Sequence, residues 1–251
     1  MSAQVSAGPR PQDSAVGVLS RAAEGGLDAL VEAAVALYGD SLAIASSFGV
    51  EDMVVIDAVA EAARDRKDKP TIFLLDTGRL HQETFDLVER VRDRYGLPIS
   101  LYAPSAADVE TLVNAQGTNG FLQSVDARKE CCRVRKVLPL ARALANRKAW
   151  MTGLRREQSV TRADIAPVEV DHAHGGILKL SPLTRYTEVE VWARAKQRNI
   201  PTHALHARGF PSIGCVPCTR AVKPGEDARA GRWWWESPEH KECGLHGRSG
   251  R

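Results

Sequence analysis

Ser41-Leu-Ala-Ile-Ala-Ser-Ser-Phe48, followed directly by Gly49 and the run Val50 to Arg64, decides the architecture. The first segment reads as a buried strand running into a loop. In the second, Val54, Val55, Ala58, Val59 and Ala62 recur at helical spacing. The same alternation continues downstream. Thr71-Ile-Phe-Leu-Leu75 is a second apolar strand ending at Asp76-Thr-Gly78, and His81 to Tyr95 is an amphipathic helix with Phe85, Val88, Val91 and Tyr95 on one face. Pro98 to Tyr102 and Ala149 to Gly153 are two further strands. Apolar strands separated by amphipathic helices imply an α/β fold, a parallel twisted sheet with helices on both faces. Ligands of such sheets bind at the carboxyl ends of the strands. Three loops therefore share one rim: Ser46 to Asp52, Asp76 to Leu80 and Gly153 to Ser159. Thr187 and Glu190 form a capping box that opens a later helix through Trp192.

The chain has 251 residues, with 43% hydrophobic and 26% charged residues and a net charge of +3. No general affinity for nucleic acid or membrane surfaces follows from that balance. The charge is unevenly spread, however: residues 128–156 hold ten Lys or Arg against one acid, Glu130. Such a run suits a multiply charged anion or a nucleic-acid face. Residues 1–26 are rich in Pro, Ser, Gly and Ala and carry no long apolar run; they are expected to be a weakly ordered tail. Residues 27–220 are expected to form the α/β domain, and 221–251, rich in Gly, Pro and charge, a mobile C-terminal tail. No membrane span and no secretory signal are read in the sequence. Five cysteines, two of them adjacent, fit metal or redox use in a reducing cytoplasm better than disulfides.

Each rim loop has a chemical reading beside a plainer one. In Ser46-Ser-Phe-Gly-Val-Glu-Asp52 a strand end meets a helix N-terminus, which favours phosphate or sulfate. Ser46 and Ser47 offer hydroxyls, and Gly49 permits close backbone approach; an ordinary Ser-capped turn has the same composition. In Leu75-Asp-Thr-Gly-Arg-Leu80, Asp76 suits a ribose or base and Arg79 an anion, although Asp-Thr-Gly is also common turn chemistry. In Gly153-Leu-Arg-Arg-Glu-Gln-Ser159, Arg155 and Arg156 present forks that match phosphate or sulfate oxygens, or form a solvated basic loop.

The cysteines carry more. Glu130-Cys-Cys-Arg-Val-Arg-Lys136 reads as helical, with Arg135 four residues after Cys131 and Lys136 four after Cys132, so that each base shares a face with a thiol. Gly214-Cys-Val-Pro-Cys218 supplies a second pair. Four thiolates hold either zinc or an iron–sulfur cluster; directly adjacent cysteines fit one tetrahedral ion poorly and separate corners of a cube better. Cys243 stands apart in Lys241-Glu-Cys-Gly-Leu-His246, where Lys241 and His246 favour a thiolate and Glu242 opposes it. Upstream, Arg229, Arg232 and Trp233-Trp-Trp235 could anchor this segment over an anionic ligand.

Taken together, these motifs resemble the sulfonucleotide reductases, and among them the assimilatory adenylyl-sulfate (APS) reductases with an iron–sulfur cluster. The resemblance runs from about Ser41 to His246 and also takes in Ser212-Ile-Gly-Cys-Val-Pro-Cys-Thr219 and Gly231-Arg-Trp-Trp-Trp-Glu236. It implies an adenine-nucleotide α-hydrolase-like sheet, one 4Fe-4S cluster on Cys131, Cys132, Cys215 and Cys218, and Cys243 as nucleophile. It implies substrate contacts from Ser46, Ser47, Phe48 and Gly49 in the first loop and from Asp76, Thr77, Gly78 and Arg79 in the second. Lys136, Arg229 and Arg232 match positions that line the phosphosulfate site, and Arg155, Arg156 and His246 are expected to join them. The implied reaction is reduction of APS to sulfite and AMP through an S-sulfocysteine on Cys243, with thioredoxin or a similar dithiol carrier as reductant.

Presence of all four cluster ligands favours APS over the 3′-phosphorylated nucleotide (PAPS), although some cluster-bearing members accept both. A homo-oligomer is compatible with this reading; nucleic acid and membrane are not expected partners. Two competitors differ in class. One is an ATP-dependent tRNA thiolation enzyme on the same fold, whose usual Ser-Gly-Gly-x-Asp-Ser loop Ser46–Asp52 departs from. The other is a non-catalytic iron–sulfur redox sensor, which would have no use for Cys243.

Overall fold

Side chains of the central strands alternate between two cores. Leu42, Ile44, Ile72, Leu74, Ala149 and Met151 enter one, while Ala43, Phe73 and Trp150 enter the other. The computed structural model describes residues 11–159, 162–237 and 245. Its strands are β1 (Leu42–Ala45), β2 (Thr71–Leu75), β3 (Ile99–Tyr102), β4 (Ala149–Met151), β5 (Val168–Asp171) and β6 (Ile177–Leu180). They form a sheet in the order β3-β2-β1-β4-β6-β5. β1 pairs in parallel with β2 and β4, so that Ile44 lies opposite both Ile72 and Met151. β2 and β3, and β4 and β6, are also parallel.

The edge strand β5 runs antiparallel to β6. Only five residues join these two strands, too few for a crossover, and Gly175 and Gly176 turn the chain with φ of +77° and +78°. The sheet is therefore parallel except at this edge.

The larger core lies between one face of the sheet and helices α1 (Pro11–Glu24), α2 (Gly26–Tyr38), α3 (Val50–Ala62), α4 (Gln82–Tyr95) and α8 (Glu188–Gln197). On the other face, α7 (Leu138–Leu144) sets Leu140, Ala143 and Leu144 against Ala43, Phe73 and Trp150. α5 (Ala106–Gln116) and α6 (Val125–Cys132) complete the α-helices among the described residues, and Thr187 and Glu190 form the expected capping box of α8. Among the described residues no helix is long and apolar enough to cross a membrane.

Two boundaries differ from expectation. Residues 11–24, assigned to a weakly ordered tail, form α1, with Leu19 fully buried and Ala23 nearly so. The apolar stripe of Ala15, Val16, Leu19 and Ala23 is built mostly from small side chains, which makes the period faint in sequence. Residues 221–237, assigned to the mobile tail, return to the domain. Arg220 N–H donates to Gly231 O at 3.0 Å, Trp233 N–H donates to Cys218 O at 3.1 Å, and the Trp233 ring is 1% exposed. Burying that aromatic offsets the ordering of a Gly- and Pro-rich stretch.

Candidate active site

A cleft of about 280 Å³ opens at the carboxyl ends of β1, β2 and β4, where the strand order reverses direction. Ser46, Ser47, Gly49, Thr77, Gly153 and Arg155 line it. α3 begins here with Gly49 at its N-cap and no side-chain cap, leaving first-turn N–H groups for an anion. The preceding loop is pinned from within. Ser46 Oγ accepts from Phe48 N–H at 3.0 Å, and Asp52 Oδ2 accepts from the N–H and hydroxyl of Ser47 at 2.6 and 2.8 Å. Asp52 Oδ1 also accepts from Gly153 N–H at 3.3 Å, tying two rim loops together. A Cβ on Gly153 would lie 2.6 Å from that oxygen. Burial pushes the Asp52 carboxyl up to about 6, against the opposing pull of the Ser47 hydrogen bonds.

The residues expected to bind substrate separate into groups. Ser46, Ser47, Gly49, Thr77, Lys136, Arg155, Arg229 and Arg232 line the cleft. Phe48 does not: its backbone takes a φ of 61° and its ring is fully buried in the larger core. Asp76 closes a turn, accepting from Gly78 N–H at 2.9 Å, and Gly78 has the φ of +68° that the turn requires. Arg79 points to the cysteines instead, with its guanidinium 5.2 Å from the Phe121 ring centroid. Arg156 is exposed and donates to Ile165 O at 3.0 Å, away from the cleft. Arg155 is buried and bonded to Glu51 from Nε and Nη2 at 3.0 and 2.9 Å, so its charge is already matched.

Arg162, which sequence reasoning missed, lines the cleft. It follows the Arg155–Gln158 turn, and Nη1 reaches back to Gln158 Oε1 at 2.5 Å; its signal was only that of one more surface base. Ser212, Ile213 and Gly214 also face the cleft, just ahead of the second cysteine pair. Gly214 leaves no room for a Cβ beside the Arg232 guanidinium. Arg232 Nη1 donates to Ile213 O at 3.0 Å.

A second, smaller cavity adjoins the first, and Cys131, Cys132, Cys215 and Cys218 all line it. α6 carries the first pair, capped by Ser124, whose Oγ accepts from Ala127 N–H at 3.1 Å. The helix does not continue regularly, as the sequence spacing assumed. Arg133–Val137 form a π-helical turn, a device common at functional sites; Arg135 and Lys136 nevertheless both face the cysteine cavity. The second pair sits on a tight turn whose Val216 N–H donates to Arg79 O at 2.8 Å. Thr77 Oγ1 lies 3.2 Å from Cys215 Sγ.

Soft sulfur ligands of this number suit zinc or iron–sulfur chemistry. Among the described residues no three metal-binding side chains gather as a single ion requires. Two buried donors on the cavity wall, Arg135 Nε and Trp233 Nε1, have no hydrogen-bond partner among the described residues, which fits a wall built to face sulfur acceptors. Burial raises the Cys131 thiol; burial and the adjacent Cys215 push Cys218 up to about 12. These thiols ionise only where a positive centre compensates them.

Lys136, Cys215 and Trp233 line both cavities. Leu245 lines the cleft and packs against the Trp150 core. Cys243 and His246 lie outside the described residues.

The family model described as "Phosphoadenosine phosphosulfate reductase domain" matches residues 41–221. The chain is 52% identical over 221 residues to the adenosine 5′-phosphosulfate reductase of Burkholderia cepacia, covering 88% of this chain and 86% of that protein. It is also 52% identical over 209 residues to the protein of the same name from Allochromatium vinosum, covering 83% and 80%. Among solved structures it resembles a phosphoadenylyl-sulfate reductase from Candida auris, with a TM-score of 0.67 at 22% identity, covering 87% of this chain and 100% of that one. A Candida glabrata FMN adenylyltransferase gives a TM-score of 0.52 at 15% identity, covering 93% and 78%, a likeness of fold alone. The chain belongs to the phosphoadenosine phosphosulfate reductase domain family.

Proposed function

We propose, from that membership and the geometry of the cleft, that this protein reduces adenosine 5′-phosphosulfate to sulfite and AMP for sulfate assimilation. The observation that carries the reading is that one basic side chain, Lys136, faces both the nucleotide cleft and the four-cysteine cavity. A phosphosulfate held by the first turn of α3 and by the cationic wall of Lys136, Arg162, Arg229 and Arg232 has its anionic end beside the cysteines.

Cys243 is the nucleophile in this reaction. Leu245, two residues on in the sequence, lines the cleft. The thiolate attacks the sulfur of the phosphosulfate. An S–S bond forms, the S–O bond to phosphate breaks, and AMP leaves with the electron pair. A dithiol protein then attacks the Cys243 sulfur and releases sulfite. Its second thiol resolves the mixed disulfide, so the dithiol is oxidised as the sulfur is reduced. With the other four cysteines in the second cavity, the resolving thiol comes from outside the chain, from thioredoxin or a similar carrier, in a reducing cytoplasm.

Cys131, Cys132, Cys215 and Cys218 would hold one 4Fe-4S cluster, which when bound tunes the charge felt by Lys136 and the substrate and does not deliver electrons. Lys136, Arg229 and Arg232 orient the phosphosulfate and stabilise the charge that builds on the leaving phosphate. The ion pair of Arg155 with Glu51 holds the third rim loop in place.

Steady-state sulfite release from APS, with reduced thioredoxin present or omitted, tests the assignment. Multiple turnover only with the dithiol is expected; ATP consumption without sulfite would overturn it. A parallel assay with PAPS reads how far a 3′-phosphate is tolerated.

A further inference from the structure

Helix α6 and the root of the C-terminal segment meet at a fully buried ion pair. Arg128 Nε and Nη2 donate to Oε1 and Oε2 of Glu236 at 2.9 and 2.7 Å, and the two side chains are 0% and 3% exposed. The same guanidinium lies 4.9 Å from the Trp233 ring centroid, and Arg128 lines the cysteine cavity together with Cys132, one helical turn along α6. Arg232 covers the same ring at 4.6 Å. Trp233 itself is buried with a φ of 41°, a backbone that bulky residues hold only where their surroundings over-determine it. Its N–H is bonded to Cys218 O.

A buried ion pair is a poor source of stability, since apolar packing of equal volume does as well. Two parallel N–H···O bonds do supply a single fixed register. Glu236 stands seven residues before Cys243 and nine before Leu245 on the cleft wall. We infer that Arg128 and Glu236 are positioning residues: they fix the origin of the segment that carries Cys243 against the helix that carries Cys131 and Cys132. The inference rests on the proposed role of Cys243. The helix that presents one cysteine pair thereby also sets where the nucleophile's segment begins.

Two variants test this in the anaerobically purified, iron-loaded protein. Glu236→Gln keeps the shape and removes the charge; Glu236→Asp keeps the charge and withdraws it by one methylene. Four quantities are read: iron content, AMP affinity, the single-turnover rate of adduct formation on Cys243 with APS, and the rate of Cys243 alkylation by iodoacetamide with and without AMP. Iron and AMP affinity are expected to stay within about twofold, while the adduct rate falls about tenfold or more, as misplacement of a reacting group demands. AMP is expected to slow alkylation in the unaltered chain and to lose that effect in the variants. An adduct rate within twofold of the unaltered chain, or a fall matched by loss of iron, overturns the positioning role. Should the unaltered chain form no adduct, the proposed function fails, and alkylation alone decides the pair's role: equal sensitivity to AMP in variant and unaltered chain rejects it.

Discussion

Asp52 holds Ser47 by both of its donors, the backbone N–H at 2.6 Å and the hydroxyl at 2.8 Å, from one carboxylate oxygen. Through Gly153 the same carboxylate bridges the loops that follow β1 and β4. The turn that opens the cleft is thus fixed by an acid that itself lines the cleft.

For Asp52 the pH dependence has a definite sign. Its folded value of about 6 lies above the ordinary 3.8. Its contribution to stability is therefore complete below 3.8 and lost as pH rises through 6. Ligand binding runs the other way, because protonation removes an acceptor from Ser47. AMP affinity should be level above pH 7 and fall below pH 6. In Asp52→Asn it should be weaker at pH 7.5 by about tenfold, the cost of one hydrogen bond to a charged group, with a flat pH profile. Calorimetric titration from pH 5 to 8 measures both.

Gly153→Ala should disorder the same junction by steric means. The new Cβ would meet Asp52 Oδ1 at 2.6 Å and its backbone nitrogen at 2.8 Å. A cost of about 1–3 kcal/mol is expected, or about 2–4 °C of melting temperature for each kcal/mol, with a parallel loss of AMP affinity. Thermal melting with and without AMP gives the two numbers.

His203 should make the fold acid-sensitive. Fully buried, it lies 3.0 Å from Thr84 Oγ1 through Nε2, accepts from Leu205 N–H at Nδ1, and has its value pushed down by burial to about 4. The neutral ring is the folded form, so stability is lost as pH falls from 6.5 towards 4, a slope opposite to that of Asp52. His203→Gln, which keeps a donor near Thr84, should flatten this slope by an amount on the order of 3 kcal/mol across the window. Melting temperatures of both proteins at intervals from pH 7.5 to 4.5 would show it.

Removing one cavity thiol should separate the two cavities functionally. Cys218→Ala is expected to lose iron and the visible absorption that goes with it, to keep AMP affinity within a few-fold, and to lower adduct formation on Cys243 by about tenfold or more. Iron analysis alongside single-turnover kinetics tests this.

The sheet was readable because its strands are short and apolar throughout, so that Leu42–Ala45 and Thr71–Leu75 stand out whichever face each residue serves. The four cysteines were legible as two pairs, since spacing alone announces them. What escaped was whatever depends on tertiary partners. α1 hides its buried stripe among alanines. The π-turn at Arg133–Val137 has no local sequence mark, and nothing in Arg-Trp-Trp-Trp shows that Trp233 turns inward while Trp234 stays 44% exposed. Arg155 and Arg156 are indistinguishable in sequence; only the placement of Glu51 sends one inward and leaves the other on the surface. Asp76 and Phe48 belong to binding loops by motif, yet one closes a turn and the other fills the core.

The proposed chemistry turns on Cys243, and one measurement addresses it directly: intact and peptide mass spectrometry of the iron-loaded protein after anaerobic incubation with APS and no reductant. One sulfonate per chain is predicted, carried by Cys243, with AMP released in equal amount and sulfite freed only when reduced thioredoxin is added. AMP release with Cys243 unmodified, or sulfite formation by a Cys243→Ser variant at an undiminished rate, would contradict it.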